Sequence, residues 1–533
     1  MKPQPLLDAA TAQLLGFDWL VAEVGPVSPY GERRFDEIRP FAVGEENAAA
    51  ARAAQIAGIA TALDAERLDG VRAALRELPD VWTAVARASM GEVLGDPDFL
   101  ELRRFCAAIE RVDALTAERI ARTRVANEGV VAVASALARG RADGDGFYLA
   151  DAFDAALANA RVAFAGAQAE LDSVRGREGE RVARELQRGE IASDEFIVMR
   201  DELRGALPAG VRVVREAPTY LLCSLEYGDA ALAALERRDA AAGEVAAAEE
   251  RVRARLSAIV REHGEALLAA AESLGELDVL ASAARFTLRR NCVPATIVAE
   301  PALAFERARF LPLEADLVAA GRRFVPLDLA LHDAAVLTGP NMGGKSVALQ
   351  TCGFVALCAA FGLPVPAANA KTALFDHVAW LGIGREERTG LLSSFAREVL
   401  TLKEILARAA PRLLILADEF ARTTTPHEGR ALLVALVARL RERRACGLLA
   451  THLAGIAEAA AVRHFAVRGL RGALEHRETQ DVDEALATLA ESMDYTIAEV
   501  AGDEASRADA IALTALLGVD RDFVAAAYRA LKA

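Results

Sequence analysis

The sequence predicts a multidomain protein: an all-α core and lever carrying helical arms, then an α/β domain, then a C-terminal helical pair. Three observations predict it. Of 533 residues, 53% are hydrophobic but only 5% aromatic, an Ala- and Leu-rich balance suited to long packed helices rather than disorder or a β-sandwich. From about residue 300 to 480, short apolar runs alternate with helical stretches, the pattern of a parallel sheet with crossover helices. Within that region a glycine-rich turn lies between an apolar strand and a helix.

Taken in order, residues 1–125 predict a helical core domain. Ala48 to Leu63 and Leu68 to Leu78 repeat apolar residues at helical spacing, and Trp19 and Trp82 are expected to pack in the core. Gly140 to Gly146 is a break; its Asp143 and Asp145 give a surface turn rather than a calcium loop, since Phe147 stands where a third oxygen ligand belongs. Residues 126–299 predict a lever and two helical arms with a small strand-containing insert, in which Val211–Val214 and Tyr220–Cys223 are extended. Glu244 to Ala271 is expected as one helix, with Val252, Leu256, Ile259 and Val260 on one stripe. Residues 300–480 form the α/β domain, with strands at Ala334–Leu337, Leu413–Ala417 and Leu448–Thr451. Residues 481–533 are expected to be helical, closing with Ala510–Leu517 and Phe523–Leu531 as a dimerisation segment.

The formal charge is −15. Nucleic-acid binders usually display a basic face, and no global one is visible; over 151–270, 22 acids face 16 arginines. Arg251, Arg253 and Arg255 cluster, but alternate spacing on a helix spreads them over different faces. The six cysteines lie far apart with no C-x-x-C pair, which suits reduced, buried thiols in a cytoplasmic protein. No signal peptide is expected at the N-terminus. Residues 347–370 carry no charge, but Gly353, Gly362, Pro364 and Pro366 interrupt them, so a buried helix is expected and no membrane span.

The chemistry is carried by Thr338-Gly339-Pro340-Asn341-Met342-Gly343-Gly344-Lys345-Ser346, which satisfies G-x-x-x-x-G-K-[ST] between strand and helix. Its glycines let backbone N–H groups converge on the phosphates of a nucleotide. Lys345 would reach the β- and γ-phosphates, and the Ser346 hydroxyl would hold Mg²⁺. Downstream, Leu413–Ala417 ends in Asp418 and Glu419. The first acid is placed to hold Mg²⁺ through water and the second to orient or deprotonate an attacking water. Thr451-His452 puts a histidine at a further strand end, within reach of a γ-phosphate.

Thr338–Ser346 closely resembles the phosphate loop of the MutS family of ABC-class P-loop ATPases. Asp418–Gly429 resembles that family's acidic strand and following loop, and Thr451-His452 its switch histidine. Ser393-Ser394-Phe395, with Glu398 beyond, is similar to its signature segment, which in the family reaches across a dimer to the other subunit's γ-phosphate. Leu274–Ser282 resembles the return of its lever, and Gly16–Trp19 the start of its core domain. The resemblance implies a homodimer with composite ATP sites. Two departures stand out: Ala421-Arg422-Thr423 where Gly-Arg-Gly is usual, and Glu428 where aspartate is usual. No Phe-x-Glu wedge is found, so a mismatch-reading domain is expected to be missing. Two partners remain open. Family frequency implies duplex DNA. A branch that resembles this chain, with Asp-Glu-Phe/Leu-Ala-Arg and a Met-Asp-Tyr segment like Met493-Asp494-Tyr495, implies reactivation of a cobalamin-dependent lysine or ornithine aminomutase.

Overall fold

A computed structural model describes residues 1–116, 119–120, 124–139, 146–191, 193–203, 205–340, 343–382, 394–408, 410–470, 492–500, 511, 514 and 519–532. The chain forms two compact units, one of Leu78–Asp113 with Arg124–Ala271, the other of Met1–Glu77, Ala114–Thr123 and Glu272–Ala533.

In the unit built around residues 124–271, Asp154 caps a helix over Ala155–Glu185 and accepts the Ala156 N–H. That helix pairs with Asp229–Glu262 along a seam of Leu171, Val174, Ala231 and Ala234, where small residues let two long helices approach closely. Between them lie β1 (Glu195–Met199), β2 (Val211–Glu216) and β3 (Tyr220–Leu225), an antiparallel sheet in the order β1-β3-β2. Two of these are the segments that the sequence showed as extended. Val252, Leu256 and Val260 form the buried stripe of the second helix. The expected unbroken helix to Ala271 stops at His263, and a new helix, Gly264–Arg290, begins. Trp82 corrects another expectation. It is 37% exposed at the start of a short helix, Trp82–Ser89, whose buried face is made by Ala84, Val85 and Ala88. The turn at Asp143 and Asp145 lies outside the described residues.

The other unit holds two sheets. β4 (Thr296–Val298), β5 (Leu303–Ala308), β6 (Leu327–Leu331) and β8 (Asn369–Ala373) form a small mixed sheet in the order β4-β8-β5-β6. The larger sheet contains β7 (Ala334–Thr338), β9 (His377–Gly382), β10 (Leu413–Asp418), β11 (Cys446–Ala450), β12 (Arg463–Leu470) and β13 (Met493–Glu499) in the order β13-β12-β7-β11-β10-β9. All neighbours are parallel except β12 and β13. Near-continuous Val, Leu, Ile and Ala in β7, β10 and β11 reflect burial on both faces of a parallel sheet. The helix after β7, Lys345–Ala360, is buried over most of its length, which accounts for its uncharged sequence. No helix among the described residues is long and apolar enough to cross a membrane, and all six cysteines are buried and unpaired.

The helical expectation for the tail is corrected at β13. Met493–Glu499 pairs antiparallel with β12 from Phe465↔Glu499 to Leu470↔Met493 and forms one edge of the sheet. Phe523–Leu531 is helical, within Arg521–Lys532; most of Ala510–Leu517 lies outside the described residues.

Residues from the chain's beginning finish the opposite edge. The Leu6 carbonyl accepts the Val378 N–H at 2.9 Å, and Thr11 Oγ1 accepts from the Trp380 N–H at 3.3 Å, so β9 is not left as a bare strand edge. Asp278, fully buried on helix Gly264–Arg290, ties down the same segment. Its Oδ2 accepts the Val27 N–H (2.9 Å), the Ser28 N–H (2.7 Å) and the Ser28 hydroxyl (2.6 Å). Ser28 in turn caps helix Pro29–Glu37. Asp278→Ala strands these donors and is expected to cost about 2–4 kcal/mol, the scale for several unpaired buried groups. Gly31→Ala is also expected to destabilise, because a Cβ at residue 31 runs into the Asp278 carboxylate. Thermal unfolding of both variants checks this; melting temperatures equal to that of the unsubstituted protein would contradict it.

Candidate functional site

Register brings the site together. Leu337 of β7 and Asp418 of β10 both pair with Ala450 of the intervening β11, so the two strands end level. The Thr451 N–H continues the ladder to the Leu337 carbonyl at 3.0 Å. The phosphate loop, the two acids and the Thr451-His452 pair therefore emerge at the carboxyl ends of three adjacent strands, where α/β sheets bind ligands.

Gly344 sits at φ +85, the left-handed conformation that glycine adopts without cost, and caps helix Lys345–Ala360. That helix starts at the phosphate loop with its unpaired N–H groups and positive dipole end facing it. Lys345, 6% exposed, donates to the loop's own carbonyls, Gly339 O at 2.9 Å and Pro340 O at 3.1 Å, and lies 3.7 Å from Glu419. The Ser346 hydroxyl donates to Asp418 Oδ2 at 2.7 Å. Glu419 also pairs with Arg422 at 3.4 Å.

Burial shapes the electrostatics. It holds the Lys345 ammonium below the usual lysine range, with Glu419 and Asp418 pulling the other way. It pushes the Asp418 carboxyl above its ordinary value, against the Ser346 hydrogen bond. A buried acid raised in this way gains most from a cation beside it. Ser346 Oγ and Asp418 Oδ2 are one neutral and one anionic oxygen, hard donors that suit Mg²⁺, which takes one or two protein oxygens along with waters and substrate phosphates. Among the described residues no group of three acids, histidines or cysteines is arranged to hold a metal alone.

Of the expected residues, Gly339, Pro340, Gly343, Gly344, Lys345, Ser346, Asp418 and Glu419 come together. His452 is exposed two positions beyond the end of β11. Asn341, Met342 and Ser393 lie outside the described residues; Ser394 begins helix Ser394–Ala407.

Four contacts were not legible in the sequence. Thr338 Oγ1 shares a hydrogen bond with His464 Nε2 of β12 at 2.7 Å. Tyr495 of β13 packs over the loop, its Cδ1 3.2 Å from where a Cβ on Gly344 would stand. Glu398 accepts the Ala421 N–H at 2.9 Å, and Arg422 holds Glu419. No spacing signals the first three, because the partners are 23 or more residues apart; the fourth is a local i,i+3 pair whose meeting depends on the path of the turn after β10. The departures from the resembled loop also find a place. Ala421 sits at φ +62, and Glu419 at φ +50, a region that costs a residue with a side chain about 1–3 kcal/mol. Glu428 accepts from the Thr424 and Thr425 hydroxyls at 3.0 and 2.8 Å at the start of helix Pro426–Glu442.

Known proteins are similar to this part of the chain. Residues 335–516 match the family model MutS domain V. Over 219 residues the chain is 33% identical to an Endonuclease MutS2 of Pelotomaculum thermopropionicum, covering 40% of this chain and 27% of that protein. Over 206 residues it is 37% identical to a DNA mismatch repair protein MutS of Thermus caldophilus, covering 38% and 24%. The chain thus spans about a quarter of the length of these curated relatives. With the phosphate loop, the acidic strand end and the intervening strand assembled as described, residues 335–516 carry a domain similar to MutS domain V.

Proposed function

We propose that this protein is a MutS-type ATPase that hydrolyses ATP with Mg²⁺ at the carboxyl end of its six-stranded sheet. The observation that carries this is the 2.7 Å contact of Ser346 with Asp418, beside a Lys345 buried among loop carbonyls. Lys345 exchanges those carbonyls for β- and γ-phosphate oxygens, a stronger, charge-assisted pairing. Ser346 and Asp418 are the residues that would hold Mg²⁺, which would neutralise charge developing on the phosphates. Glu419, released from Lys345, orients the attacking water and takes its proton; His452 faces the γ-phosphate from the next strand end. In the homodimer, Ser393 and Ser394 of one subunit complete the site of the other. ATP then favours closed over open arms by its differential affinity for the two states.

For the target, duplex DNA comes first, since the relatives include a mismatch repair protein and an endonuclease. A second reading, an ATP-driven remodeller of a protein such as a cobalamin-dependent aminomutase, is favoured by the arms. Arg253 is paired with Asp96 and Arg255 with Asp154, each at 2.9 Å, so two of the clustered arginines are already engaged. Anisotropy of labelled duplex DNA, with and without a non-hydrolysable ATP analogue, separates the two. Nucleotide-dependent binding with a steep salt slope supports DNA; no binding at low salt by protein that hydrolyses ATP supports the protein partner.

Glu419→Gln is expected to bind ATP and hydrolyse it about a hundredfold more slowly, the scale for a lost general base. Lys345→Ala is expected to weaken ATP roughly tenfold or more. Phosphate-release assays and analogue titrations check both, and unchanged turnover or affinity refutes the assignment concerned. Because Asp418 is raised above its ordinary value and its charged form holds Mg²⁺, Mg²⁺-dependent ATP affinity is expected to fall on acidification at a higher pH than an ordinary aspartate gives. The sign is fixed: protonation removes the ligand. Titrations across pH test it; a profile that Asp418→Asn leaves unchanged would contradict it.

A further inference from the structure

The loop after the two acids takes a backbone path that its residues do not favour. Glu419 and Ala421 both have positive φ, +50 and +62, and neither is glycine. Ala421 is 2% exposed, and its N–H is taken by Glu398 Oε2 at 2.9 Å. Glu398 lies on helix Ser394–Ala407, one turn after Ser394. It is half-buried, and burial pushes its carboxyl up while the Ala421 N–H opposes that. The path is then closed by local bonds: Arg422 N–H to Glu419 O at 3.2 Å and Thr424 N–H to Ala421 O at 3.3 Å.

We propose that Glu398 is a positioning residue for hydrolysis: by holding the Ala421 N–H it keeps the 419–421 turn left-handed and so fixes the direction in which Glu419 leaves β10. This rests on the ATPase reading above. Without the carboxylate, a buried N–H loses its acceptor, and alanine drifts from φ +62 towards its ordinary range. The Glu419 Cα–Cβ bond turns with it, away from the water that it must orient. Glu398 acts in this role through the Ala421 backbone N–H. It also bonds the helix that begins at Ser394 to the turn that carries Glu419. A shift of that helix, in whichever subunit it meets a nucleotide, is thereby transmitted to the base of its own site.

The test uses the full-length protein and compares steady-state phosphate release with the affinity of a non-hydrolysable ATP analogue. Glu398→Ala is expected to lower turnover by roughly tenfold to a hundredfold, the scale for a misplaced catalytic group, with analogue affinity within about twofold of the unsubstituted protein. Glu398→Gln keeps an amide oxygen that accepts the Ala421 N–H and is expected to retain most of the turnover. Ala421→Gly in the Glu398→Ala background removes the side-chain objection to positive φ and is expected to restore part of it. Glu398→Ala turning over at the unsubstituted rate overturns the proposal. So does Glu398→Gln failing as badly as alanine, a double variant no faster than Glu398→Ala, or analogue affinity falling in parallel with turnover. An unsubstituted protein that releases no phosphate condemns the ATPase reading instead, so the two failures are distinguishable.

Discussion

The hydrogen bond from the Ser346 hydroxyl to the Asp418 carboxylate, 2.7 Å long, joins the first turn of one helix to the end of a strand two places away in the sheet. Much else in this half of the molecule serves that approach. Strands are about 4.8 Å apart, so the ends of β7 and β10 are separated by roughly 10 Å of sheet. Only the level register through Ala450, and a helix that starts directly after the phosphate loop, let a short serine side chain reach the acid. Burial makes the arrangement responsive to charge. Asp418 and Lys345 are both held away from their ordinary ionisation, one up and one down, by the same exclusion of water. On the proposed reading, a phosphate-bound cation at Ser346 and Asp418, and phosphate oxygens at Lys345, would relieve both penalties together.

The parts of this architecture that the sequence made legible are those in which local chemistry and global fold agree. β7, β10 and β11 are apolar runs because a parallel sheet covered on both faces buries every residue. The phosphate loop shows itself through glycine, lysine and serine at fixed offsets, since the turn and the phosphate contacts demand those types. The two long helices bracketing a small sheet were visible through their periodicity and through β-branched and aromatic residues between them.

What escaped was decided by tertiary context. Met493–Glu499 lies in an Ala-rich, helix-forming neighbourhood, and becomes a strand because β12 offers an edge to pair with. The break at His263 carries no proline and only an ambiguous Gly264, so propensity ran through it. Aromatics usually pack in the core, yet the buried face of the Trp82–Ser89 helix is built from smaller residues. The clamp between Glu398 and Ala421 depends on the path of a turn, and no residue pattern announces a positive φ at alanine. The pairing of Arg253 and Arg255 with acids far along the chain likewise turns an apparent basic cluster into scaffold contacts.

The central claim is that these groups form a working ATP site that depends on a cation held by Ser346 and Asp418. Phosphate release by the purified protein at saturating ATP, measured with Mg²⁺ and again after chelation, tests it most directly. The account predicts steady release with Mg²⁺ that stops on chelation and returns when the cation is restored. No release with Mg²⁺ present, or release indifferent to chelation, would contradict it.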